Sequence, residues 1–99
     1  MIEVIFEKTG LPQDVLQVRE SPAPEPKADE VQIQVKARNI NPSDLMFIQG
    51  RYGIQPTLPS SAGFEAAGVV SKSDADGKIP VGTRVMFTAQ GTNTGTWRE

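Results

Sequence analysis

Pro22, Pro24 and Pro26 fall within residues 21–29. Each fixes φ and lacks a backbone donor, so this stretch can form neither a helix interior nor a central strand. It reads as an extended connector between two strand-forming regions. Beyond it, Val31, Ile33 and Val35 alternate with Gln32, Gln34 and Lys36, which predicts a half-buried strand over residues 31–37. Before it, residues 1–6 are apolar and β-rich, and residues 15–20 carry the mixed pattern of an edge strand. Downstream, residues 66–70 are small or branched and are bounded by Gly63 and Gly68, so they can lie close to other backbone. Residues 74–78 hold Asp-Gly turn chemistry, and residues 81–88 read as another strand. Residues 90–95 are small and polar, and Thr96-Trp97 opens what reads as a further strand. One helix is expected after Asn41: this residue can cap, Pro42 suits the first position, and Asp44 favours the first turn. Leu45, Phe47 and Ile48 give that helix an apolar side, and Gly50 can end it. The predicted class is mainly β, a partly open β-barrel with one or two short helices.

Composition narrows function. The 99 residues make one domain or part of one, and the net charge is −2. No basic stripe or charge run offers a surface for nucleic acid or anionic membranes. No apolar run approaches a membrane span, and the first residues are too short and too charged at Glu3 for a signal sequence. Cysteine and histidine are both absent, which removes disulfides, thiolate metal sites and the commonest zinc ligand and general base. Asp74 and Asp76 flank a turn and form no recognisable cation loop. The expected setting is cytoplasmic, with the mitochondrion left open.

Four motifs follow in fixed order. Asn39-Ile40-Asn41-Pro42-Ser43-Asp44 succeeds the 31–37 strand. Gln49-Gly50-Arg51-Tyr52-Gly53 comes next, then Gly63-Phe64-Glu65-Ala66-Ala67-Gly68, with Val81-Gly82-Thr83-Arg84-Val85 after a turn. In this order the chain resembles the medium-chain dehydrogenase/reductase superfamily. The match covers residues 1–99 as the first part of its GroES-like catalytic domain. Zinc-dependent members carry Cys where this chain has Asn41 and His where it has Phe64, and only Glu65 stays. Phe64 and Glu65 are therefore expected to be structural residues at a vestigial zinc site, with no metal bound. The structural-zinc lobe of such enzymes is also missing, and residues 91–95 stand about where it would be. Two zinc-free branches compete, the 2-enoyl thioester reductases and the quinone oxidoreductases. Met46, where many of the latter have tyrosine, together with Gln49-Gly50 and Gly95-Thr96-Trp97, favours the enoyl reductases.

The resemblance implies reduction of an activated double bond, in an enoyl thioester, enone or quinone, with hydride from NADPH. Tyr52, the chain's one tyrosine, would be the catalytic donor, since phenols hold their proton near neutral pH. Taken alone, Tyr52 reads more readily as a packing residue, and it is the motif match that favours the donor role. Asn41 would position substrate or cofactor, or simply cap the helix. Trp97 would line the pocket, although a core role is the default for tryptophan. Arg51 and Arg84 read as solvated, with Arg51 able to meet an anionic substrate tail. No phosphate-cradling glycine motif follows a strand in this chain. The chain is thus expected to be the amino-terminal portion of a reductase, inactive alone, whose Rossmann domain lies outside it. The rival reading is a stand-alone GroES-like interaction module. Self-association into a homo-oligomer is compatible with either.

Overall fold

The computed structural model describes residues 1–89 and 95–99. The readings made for residues 90–94, including most of the missing zinc-lobe position, lie outside the described residues. The elements are β1 (Ile2–Phe6), α1 (Pro12–Val15), β2 (Leu16–Glu20), β3 (Gln32–Arg38), α2 (Pro42–Ile48), β4 (Ser60–Ser61), β5 (Glu65–Lys72) and β6 (Arg84–Thr88). They form two antiparallel sheets of order β2-β1-β4 and β3-β5-β6. Neither closes on the other, in keeping with a partly open GroES-like barrel.

The proline connector carries no strand, as expected, and β2 is an edge strand. Val15 instead ends the single turn of α1, which begins with Pro12 at a first-turn position where its missing N–H costs nothing. The strand expected over residues 81–88 starts later, at Arg84, because Gly82 adopts φ 93°. Residues 96 and 97 open no full strand among the described residues. Arg98 instead makes an isolated bridge with Glu3, while Val4 N–H donates to Trp97 O at 2.9 Å. Residues 97–99 thereby continue the edge of β1 that β4 begins.

Gly68 explains the close packing of β5 on β3. It pairs with Val35, and a Cβ there would collide with the Gln34 carbonyl. The core gathers Phe6, Val15, Phe47, Ile48, Ala62 and Phe64. Phe47 sits at its centre, edge-on to Phe6 (5.8 Å) and to Phe64 (5.1 Å). The buried face of α2 is Asp44, Phe47 and Ile48, at helical spacing i, i+3, i+4. Leu45, expected on that face, is exposed because the same spacing turns it outward.

Candidate active site

Pairing of β3 with β5 assembles the site. Arg38 lies opposite Ala66, so the chain leaving β3 passes beside the start of β5. There one oxygen of Glu65 takes two amides: Oε2 accepts from Asn39 Nδ2 and from Asn41 Nδ2, each at 3.0 Å. Asn41 also occupies the N-cap position of α2 with extended backbone (φ −104°, ψ 156°). Its N–H donates to Asp44 Oδ2 at 2.7 Å, the reciprocal arm of a capping arrangement. Asn41 is thus both a helix cap by position and a partner of Glu65 by side chain. Glu65 thus braces two side-chain amides.

The far end of α2 sets the place of Tyr52. Gly50, at φ 73°, donates its N–H to Phe47 O at 3.1 Å, and Arg51 N–H donates to Met46 O at 2.8 Å. This is a Schellman closure, which needs a residue free to take positive φ. It turns the chain so that the Tyr52 ring rests on Phe64, centroids 5.6 Å apart and planes 36° apart. Tyr52 is half-buried, with its ring against the core cluster.

Phe64 is buried. Its ring fills the position where the resemblance puts an imidazole, and it packs against Phe47 and Tyr52. A phenyl ring offers no ligand, and the amide of Asn41 is bonded to Glu65. This donor set does not fit zinc, which wants thiolate, imidazole or several carboxylates. Among the described residues no group of three or more metal-ligating side chains comes together.

Trp97 approaches from the other end of the chain. Its indole N–H donates to Asn39 O at 3.0 Å. Gly63 (φ 94°) makes room for it, since a Cβ there would run into the Thr96 hydroxyl and the Trp97 ring. Trp97 also lines an open groove of about 360 Å³ with Ile2, Val4, Arg38 and Ile40. A larger open cavity of about 780 Å³ lies against the proline connector and the β3-β5-β6 sheet, at Pro24, Val31, Ile33, Val35 and Phe87. Neither is lined by Asn41 or Tyr52.

Two residues of this cluster were not singled out from sequence as site residues. Asn39 is one. Its signal is its spacing of two from Asn41 in extended chain, which puts both side chains on one side. Asp44 is the other, read only as a helix-start residue but 1% exposed beneath the motif. Burial pushes its carboxyl above the usual aspartate range. The amides of Asn41 and Phe64 oppose that rise, and the charge of Glu65 adds to it.

Comparison with known proteins fits this geometry. Residues 27–98 match the family model of the alcohol dehydrogenase GroES-like domain. The chain is 37% identical to a mitochondrial enoyl-[acyl-carrier-protein] reductase of Caenorhabditis elegans, over 98% of this chain and 28% of that protein. It is 42% identical to quinone oxidoreductase 1 of Escherichia coli, over 83% of this chain and 25% of that enzyme. A solved structure, a putative NADPH:quinone reductase from Bacillus thuringiensis, superposes with a TM-score of 0.86 at 37% identity, over 99% of this chain and 29% of that one. The chain therefore spans between a quarter and a third of the length of these relatives. Among the described residues no helix is long and apolar enough to cross a membrane. On the family match and the fold together, the chain belongs to the alcohol dehydrogenase GroES-like domain family of the medium-chain dehydrogenases/reductases, alongside the enoyl and quinone reductases.

Proposed function

We propose that this chain is the amino-terminal catalytic-domain portion of a zinc-independent, NADPH-dependent reductase of 2-enoyl thioesters or quinones. The observation that carries this reading is the packing of Tyr52 on Phe64 beside the Glu65–Asn41 bond, where the resemblance puts a metal site. Phe64 closes the position into the core and supports the ring of Tyr52, while Glu65 holds the amide of Asn41. Bound NADPH would supply hydride to the β carbon of an enoyl thioester. The chain's own residues handle the oxygen and the proton. The Tyr52 phenol donates to the substrate oxygen as charge builds there, or passes its proton toward the α carbon. The Asn41 amide orients the reacting groups, and Trp97 forms a wall. These half-buried groups suit only the reactive end of the cofactor. No glycine-rich cradle for its pyrophosphate occurs in this sequence, so a nucleotide-binding domain is assigned outside it.

The test is NADPH oxidation by the intact gene product with a crotonyl thioester and with a quinone. Tyr52→Phe should lower kcat about 10²-fold, and an unchanged rate would remove the donor role. The isolated chain should bind NADPH no better than weakly; micromolar binding would contradict the division of labour. The second reading is a non-catalytic interaction module, favoured by the edge strands β3 and β6, each paired on one side only among the described residues. Activity of the intact product with either substrate decides against it.

A further inference from the structure

We infer that Asn39 is a positioning residue that sets the spacing between the Asn41 amide and the Trp97 ring. This rests on the reading of Asn41 and Trp97 as ligand-facing. Asn39 is exposed, and a surface amide ordinarily carries no such duty. Its bonds say otherwise, because they run in two directions. Through Nδ2 it shares Oε2 of Glu65 with Asn41, and through its backbone carbonyl it holds the Trp97 indole, 58 residues further along the chain. A carboxylate offers acceptors only, so both amide groups must turn their NH₂ toward it. The two asparagines therefore meet at one atom. Displacing Asn39 moves the shared oxygen on one side and the indole's anchor on the other. Gly63 leaves the space that Trp97 needs to reach that anchor.

The clamp also shows how it would fail. Asn39→Asp sets a second carboxylate against Glu65, repelling where there was attraction. Adding Glu65→Gln repairs it with both polarities reversed. The glutamine NH₂, taking the place of the shared oxygen, can donate one hydrogen to the introduced aspartate and the other to Asn41 Oδ1 once that amide turns over.

The experiment uses the intact gene product. The indole N–H resonance, assigned by its loss in Trp97→Phe, reports the anchor, and steady-state kinetics with NADPH report the site. In Asn39→Asp the indole resonance should shift and exchange faster. KM for NADPH should rise roughly tenfold, with kcat changed less than about threefold, the pattern of lost binding without lost chemistry. The Asn39→Asp/Glu65→Gln double variant should recover both. The inference is overturned if Asn39→Asp leaves the resonance and KM at wild-type values, or if the double variant stays as impaired as Asn39→Asp. Should the wild type oxidise no NADPH with either substrate, the proposed function falls, and the resonance in the same variants still decides whether Asn39 places Trp97.

Discussion

Replacing Glu3 by glutamine should remove a large share of this fold's stability. Glu3 lies in β1 and is 3% exposed. Its carboxylate accepts from Arg19 Nε at 2.8 Å, Ser21 Oγ at 2.9 Å and an Arg98 terminal nitrogen at 2.9 Å. It so ties β1 to β2 and to the carboxyl-terminal residues. Burial works to raise its pKa; the hydrogen bonds from Arg19 and Ser21 and the charges of Arg98 and Arg19 overcome that and hold it below the usual glutamate range. The two arginines contribute unequally. Arg19 is half exposed, so its pair adds only about 0.5 kcal/mol. The Arg98 side chain is 16% exposed and, among the described residues, has one other side-chain partner, Ser61 Oγ. Its Nε is buried with no partner among the described residues. Leaving that guanidinium without a countercharge falls toward the 3–5 kcal/mol cost of breaking a buried pair. Allowing for the acceptor oxygen that glutamine retains, the loss is about 3 kcal/mol, a fall in Tm of roughly 12–24 °C for a domain of this size. Thermal unfolding followed by circular dichroism measures it. The sign of the pH dependence follows from the lowered pKa. The wild-type advantage is full above the unfolded glutamate range and is lost as pH falls through the lowered folded value. A Tm drop under about 4 °C at neutral pH, or a gap that widens on acidification, would refute the reasoning.

Asp44→Asn tests the opposite sign. Because the folded Asp44 carboxyl titrates above its usual range, its ionisation costs stability, so the variant should gain on the wild type as pH rises through that raised value. Denaturant melts across pH measure this, and a gain on acidification would contradict it. Gly63→Ala should destabilise by about 2 kcal/mol or more, from a positive φ and a Cβ driven into Thr96 and Trp97; a melt within about 0.5 kcal/mol of wild type would remove the close-approach account. A zinc chelator should leave NADPH oxidation by the intact product unchanged, and a loss restored by added zinc would defeat the zinc-independent reading.

Where one residue type dictates one conformation, the sequence was legible. The proline connector, the Asp74–Gly77 turn and the Gly50 helix stop were readable because proline removes donors and glycine tolerates positive φ. The β3 alternation was readable because one of its faces is half buried. Polarity alone assigns Leu45 to the apolar side of α2, but the helix places it outward. Capping chemistry lets Asp44 go inward, and helical spacing then sends Leu45 out. The single turn of α1 was hidden by the β-favouring residues Val15 and Val18, which read as one strand. The Asn39–Glu65–Asn41 clamp was out of reach. It depends on the register of β3 against β5, with an irregularity between Val35 and Ala37, and a shift of one residue would have turned Glu65 to the other face.

Trp97 is the chain's only tryptophan. Its ring nitrogen is fixed to the Asn39 carbonyl, and it borders an open groove. That makes it a native fluorophore with a known address. Indole emission overlaps the absorption of a reduced nicotinamide, so a dinucleotide settling near that ring would dim it by energy transfer. If the proposed function holds, an unlabelled NADPH titration of the intact product, read as the part of the emission that Trp97→Phe removes, would trace the approach of the cofactor's reactive end.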